Sequence, residues 1–138
     1  MGRLKLQMQI SLDGFVATGP DDDQGWVTWA WDEIRPRVLA FLDSADTLLI
    51  GRKLAADYIP YWEGVLQEPG NPMHPLAERL AGLKKVVFSK TLDSSPWKNA
   101  SLAKGDMPEA VGVLKSASGG DLAVYGGSGF ASSLIRHD

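Results

Sequence analysis

The stretch LAVYGGSGFASSLI, Leu122 to Ile135, decides how the chain is read. An apolar run stops at paired glycines, and apolar residues then recur at helical spacing, which predicts a strand, a tight turn and a helix. Residues without Cβ let backbone approach a ligand closely. A helix beginning near Ser128 or Gly129 aims its unpaired N–H groups and partial positive charge at the turn. Gly126, Gly127, Ser128, Gly129 and Phe130 therefore form a candidate phosphate cradle. A glycine pair after a strand is also an ordinary tight turn, so the motif alone leaves both readings open. It is neither the dinucleotide fingerprint G-x-G-x-x-G nor a Walker A loop, which needs Gly-Lys-Ser/Thr.

Upstream, the same strand-to-turn pattern recurs. TLLIG, 47–51, reads as a strand buried on both faces, and RKLAADYIPYW follows with helical spacing through Leu54, Tyr58 and Ile59. KKVVFSKTL, 84–92, is a second strand with a polar carboxyl end. At the amino terminus Leu4, Leu6, Met8 and Ile10 alternate with Lys5, Gln7 and Gln9, the period of a half-buried strand with one polar face. Asp13-Gly14 then turns, and ATGPDDDQG continues as a long polar loop. Ile34, Val38, Phe41 and Leu42 predict a helix from Asp32 to Leu42, with Asp32 as its N-cap and Pro36 in its first turn. LAERLAG and DMPEAVGVLKSA supply two more helices. Apolar runs alternating with helices predict an α/β domain of mainly parallel strands with helices on both sheet faces. In such sheets ligands bind beyond the carboxyl ends of the strands, at SLDGF, GRK, FSKT and GGSGF here.

With 138 residues, 44% hydrophobic and 22% charged, the chain suits one domain, 1–138. A net charge of −3 offers no broad basic field, which argues against nucleic acid or a membrane surface as partner and for a small molecule. No cysteine is present, MGRLKLQMQISLDGF lacks a secretory apolar region, and no apolar run nears the roughly 20 residues that span a bilayer. A cytoplasmic protein is expected.

Arg52 and Lys53 open a helix, where cations oppose the macrodipole, and an anionic ligand gives them a reason to be there. Ser89, Lys90 and Thr91 at the next strand end have the hydroxyls and charge to hold a phosphate monoester. Solvated lysines and a polar turn are the plainer alternatives. Converging on one sheet edge, the three groups suit a dinucleotide with an extra phosphate.

QISLDGFVA, LLIGRK, VVFSKTL and VYGGSGF, in this order and at these separations, resemble the dihydrofolate reductase-like superfamily, and most closely its branch related to the reductase domain of bacterial riboflavin biosynthesis. The resemblance implies a three-layer α/β/α sandwich and NADPH as cofactor. By it, Gly126 and Gly127 touch the diphosphate through a peptide that is often cis, and Gly51, Arg52 and Lys53 lie by the phosphates and adenosine. It also places Ser89 and Lys90 at the 2′-phosphate and Val16 and Ala17 along the nicotinamide. Leu54 replaces the threonine usual in the glycine-arginine block, which removes one hydroxyl contact. Family members also continue beyond the glycine turn with further antiparallel strands, so the resemblance implies a C-terminally incomplete sheet with Leu4–Leu12 at an open edge. A homodimer pairing that edge is expected.

Hydride transfer also needs a proton source, for which Asp13 and Asp32 are the acidic candidates; an Asp-Gly turn and a helix cap are the plainer roles. Trp26, Trp29 and Trp31 suit either stacking on a flat substrate or packing in a core or interface. Asp21, Asp22 and Asp23 lack calcium-loop spacing and read as a solvated turn, and neither His74 nor His137 has a metal-binding pattern. The expected function is NADPH-dependent reduction of a pterin-like or riboflavin-precursor-like heterocycle. A catalytically silent nucleotide-binding or self-assembling derivative is the alternative, and an α/β binding domain without a dinucleotide is a third.

Overall fold

The computed structural model describes residues 1–19 and 26–137. Asp21, Asp22 and Asp23 of the polar loop lie outside the described residues. The elements are β1 (Leu4–Leu6), α1 (Trp31–Asp43), β2 (Ala45–Gly51), α2 (Arg52–Leu66), α3 (His74–Gly82), β3 (Lys84–Phe88), β4 (Ala100–Leu102), α4 (Met107–Ala117), β5 (Asp121–Val124) and α5 (Ser128–Arg136). Five strands form one sheet in the order β1-β5-β2-β3-β4, every neighbouring pair parallel. This is the α/β/α sandwich expected. On one face Leu48 and Ala123 pack with Val38, Leu42 and Leu80 of α1 and α3, while Ile50 and Val87 pack with Ala55 and Ile59 of α2. On the other, Leu49, Val86, Leu122 and Val124 meet Val111 of α4 and Leu134 of α5. Leu48, Leu49 and Ile50 are all fully buried, as a strand covered on both faces requires.

Several local expectations are corrected. β4 was not anticipated: it is a three-residue edge strand without the apolar run that marks the inner ones. Regular pairing of β1 ends at Leu6, although the Gln7 N–H still donates to the Val124 carbonyl at 3.0 Å. Its polar face is not simply solvated, because Lys5 Nζ donates to Ser44 Oγ at 3.1 Å and pairs with Asp121, and Gln7 Oε1 is buried. Asp32 is not the N-cap of α1. Ala30 holds that position, and Asp32 sits in the first turn, where a carboxylate still complements the helix dipole. Pro36 lies beyond the first turn and Pro60 lies inside α2; both are exposed, and each deprives its helix of one backbone donor.

The amino ends of the central strands are held by one carboxylate. Asp46 accepts hydrogen bonds from Ser118 Oγ at 2.6 Å, Thr47 Oγ1 at 2.8 Å and the N–H groups of Gly119 and Gly120, both at 2.9 Å. These donors, Ser118 foremost, hold its pKa down to about 2. A Cβ at Gly120 would stand 3.1 Å from the Ser44 carbonyl oxygen and 3.2 Å from the Asp46 nitrogen, so glycine lets the turn into β5 pass close to the β2 backbone. Beside it Asp121 pairs with Lys5 at 2.5 Å and accepts from the Arg3 N–H at 3.0 Å, which likewise bring its pKa to about 2.

Candidate functional site

At the opposite edge β2, β3 and β5 end side by side, and the α2 and α5 helices leave from two of these ends. Gly51 is the N-cap of α2 and Gly127 that of α5, and neither helix has a side-chain cap. Backbone N–H groups in their first turns thus have no intrahelical acceptor. A Cβ at Gly51 would stand 3.2 Å from Phe130 Cβ, so its absence lets the two helix starts pack together. The Phe130 ring also meets Phe88 at 5.1 Å between centroids, tying in the end of β3. One aromatic side chain therefore gathers all three strand ends.

The glycine turn matches its expected form. The Gly126–Gly127 peptide is cis, and Gly126 has φ of 113°, a conformation side chains rarely adopt. Gly127 and Gly129 differ. A Cβ at either would meet nothing within 4 Å, and Gly127 has φ of −64°, so neither neighbouring atoms nor a positive φ requires glycine there. The space beside both is open, at the amino end of α5, where first-turn N–H groups lack an intrahelical acceptor.

Arg52 and Lys53 are exposed in the first turn of α2, which contains no acidic residue, and neither has a hydrogen bond or ion pair among the described residues. Ser89 follows β3, and its hydroxyl accepts from the N–H groups of Thr91 at 3.2 Å and Leu92 at 3.0 Å, ordering a turn that presents exposed Lys90 and Thr91. Val16 is half-buried and Ala17 exposed in the segment after the first turn. The structure brings the groups after β2 and β5 together through Phe130 and sets the Ser89 turn at the neighbouring strand end.

Asp13 is exposed in a turn, where Ser11 Oγ donates to it at 2.6 Å, and Gly14 makes the turn with φ of 90°. Asp32 is exposed on α1. Among the tryptophans, Trp31 packs on the α1–α3 core and its indole N–H donates to the Pro72 carbonyl at 3.1 Å, whereas Trp29 is exposed. Of the described residues, no three His, Asp or Glu side chains gather as a metal site.

Missing from the sequence reading is an aromatic wall on the α1–α2 side of this edge. Tyr125, just after β5, meets Phe41 of α1 at 5.6 Å and Tyr58 of α2 at 6.2 Å, and Tyr58 meets Trp62 at 6.0 Å. Burial raises the pKa of both tyrosines above the ordinary phenol value. The Tyr125 hydroxyl and Gln7 Oε1 are buried with no hydrogen-bond partner among the described residues. Each such group costs about 1–3 kcal/mol. Tyr125 directly precedes the glycine pair, which was the available signal.

Two concavities lie elsewhere. One, of about 450 Å³, is lined by Lys84, Lys85, Asn99 and Ser101 at the amino ends of β3 and β4; the other, of about 650 Å³, lies between α2 and Trp97. The carboxyl end of α4, with its outward carbonyl groups, lines the first and disfavours an anion there. Exposed cations and free N–H groups instead mark the glycine-turn edge.

A family model for the RibD C-terminal domain matches residues 3–138. The chain belongs to that family. RibD C-terminal domains form a family of riboflavin-biosynthesis-type reductases that are NADPH-binding in general, within the dihydrofolate reductase-like superfamily. A comparison with curated proteins gave no match. In this RibD C-terminal domain the uncapped starts of α2 and α5 and the exposed Arg52 and Lys53 lie together at the glycine-turn edge. No helix among the described residues is long and apolar enough to cross a membrane.

Proposed function

We infer that the chain is an NADPH-dependent reductase of a flat heterocyclic small molecule of the pterin or riboflavin-precursor kind, working in the cytoplasm. One observation carries the reading: two uncapped helix starts, Arg52 and Lys53 without a partner among the described residues, and glycines whose missing Cβ atoms serve no neighbour all lie at one sheet edge. In this reading Gly126, Gly127, Ser128, Gly129 and Phe130 hold the diphosphate through backbone N–H groups, Arg52 and Lys53 neutralise it, and Ser89, Lys90 and Thr91 take the 2′-phosphate. Val16 and Ala17 lie along the nicotinamide. NADPH supplies the hydride when bound. The aromatic wall of Phe41, Tyr58 and Tyr125 gives a flat ring a surface to stack on.

Calorimetric titration with NADPH beside NADH tests this. NADPH binds more tightly, and Arg52→Ala and Lys90→Ala each weaken it; equal or absent binding of the two nucleotides refutes the cofactor assignment. A second reading, nucleotide binding without turnover, is favoured by the exposure of Asp13 and Asp32, neither of which is held in a low-dielectric site suited to proton transfer. Oxidation of NADPH by a heterocycle panel, lost in Asp13→Asn or Asp32→Asn, decides between the two.

We further infer a homodimer through the outer edge of β1, which no strand covers among the described residues, with Leu6, Ile10, Leu12 and Phe15 exposed nearby. A monomer by sedimentation velocity at micromolar concentration rules this out.

A further inference from the structure

Gln7 and Tyr125 belong to different ends of the chain, yet the sheet makes them neighbours. The register pairs Leu4 with Leu122, Lys5 with Ala123 and Leu6 with Val124, and the Gln7 N–H continues it by donating to the Val124 carbonyl. The next step sets Gln7 beside Tyr125. In a parallel pair, registered residues share a face, here the one that α1, α2 and α3 cover. Ala123 and Tyr125 pack on that face with Phe41 and Tyr58.

Both side chains carry a buried polar atom that no group among the described residues satisfies, Gln7 Oε1 and the Tyr125 hydroxyl. Leucine and phenylalanine would occupy similar volumes without a desolvated polar group, so two such atoms at adjacent positions point to a partner from outside the chain. The Gln7 oxygen is an acceptor only. The Tyr125 phenol, protonated at neutral pH, has a hydrogen to donate. An acceptor beside a donor complements a ring N–H beside a carbonyl, and the flanking rings of Tyr58 and Phe41 suit a planar molecule. Gly126 and Gly127 follow immediately, which puts this pair next to the proposed cofactor edge.

The geometry points to Gln7 and Tyr125 as the specificity-determining pair for a cyclic lactam: Gln7 Oε1 accepts from the ring N–H, and the Tyr125 hydroxyl donates to the adjoining carbonyl. This assignment deepens, and rests on, the reductase reading. It selects oxopyrimidine and oxopteridine rings over analogues alkylated on the lactam nitrogen.

The test uses the full chain and lumazine, a pteridinedione, as probe, with 1,3-dimethyllumazine as the analogue lacking lactam N–H groups. Binding is followed by probe fluorescence, with and without saturating NADP⁺. Native chain prefers lumazine by about tenfold or more, and Gln7→Leu and Tyr125→Phe each weaken lumazine about tenfold and erase the preference. Melting temperatures of both variants stay at or above native, because each removes an unsatisfied buried atom, and NADPH affinity is unchanged. Absence of lumazine binding to the native chain, no preference over the dimethyl analogue, or unaltered preference in both variants overturns the assignment. Lumazine preference without NADPH binding would refute the cofactor assignment while leaving the pair intact; NADPH binding without lumazine preference would refute the pair alone.

Discussion

The two edges of the sheet are built on opposite principles. At the amino edge the Asp46 carboxylate takes four hydrogen bonds from Ser118, Thr47, Gly119 and Gly120, and Asp121 is paired with Lys5. At the carboxyl edge Arg52 and Lys53 have no partners among the described residues, two helix starts have no side-chain cap, and Gln7 and Tyr125 bury unsatisfied atoms. Polar groups satisfied within the chain stabilise the fold, whereas groups left over are available to something else. Under the proposed function, strength and recognition are separated by the length of the strands.

If this division is right, mutations at the two edges have different readouts. The largest effect is expected from Asp46→Ala, which leaves two backbone N–H groups and the Thr47 hydroxyl without their acceptor, while Ser118 Oγ keeps the Gly120 carbonyl, and lowers stability by about 3 kcal/mol. The urea midpoint falls, and NADPH affinity measured below the transition does not. Next comes the double change Arg52→Ala with Lys53→Ala, expected to weaken NADPH about a hundredfold, or roughly tenfold for each charge-assisted hydrogen bond removed, with no change in melting temperature. A matching drop in melting temperature would mean that these cations serve the fold.

Gly129→Ala sharpens the contrast because its two effects have opposite signs. Its Cβ meets nothing within 4 Å. Alanine in the first turn of α5 therefore stabilises the helix by about 0.5–1 kcal/mol while obstructing the cradle, so the melting temperature rises and nucleotide affinity falls about tenfold. The smallest effect is a pH dependence. Hydrogen bonding and pairing bring Asp46 and Asp121 to folded pKa values of about 2 against an ordinary 3.8, so their stabilisation is complete above about pH 5 and is lost as pH falls towards 2. Asp46→Asn flattens that part of a melting-temperature profile.

Much of this was legible in the sequence where periodicity is strong. TLLIG, KKVVF and DLAV announced buried parallel strands, and the four motif blocks located the carboxyl edge and its family. Ala100–Leu102 escaped because a short edge strand needs little hydrophobic pattern. Asp32 was misread as a cap because Ala30, which carries no capping oxygen, starts α1 instead. Gln7 was assigned to a polar outer face because alternation shows which residues share a side, but not which side a helix will cover. Tyr125 gains its meaning only from Phe41 and Tyr58, residues remote in sequence that the crossovers bring to it.

The pairing of β1 with β5 has a consequence during synthesis. Arg3 binds Asp121 across 118 steps of chain, so β1 has no place in the sheet until β5 is translated. At ribosomal speed that delay is on the order of 10 s, during which Leu4 to Ile10 is an uncommitted apolar segment in a crowded cell. Lys5, Gln7 and Gln9, interleaved with its apolar residues, act as gatekeepers that lower its tendency to pair with other nascent chains.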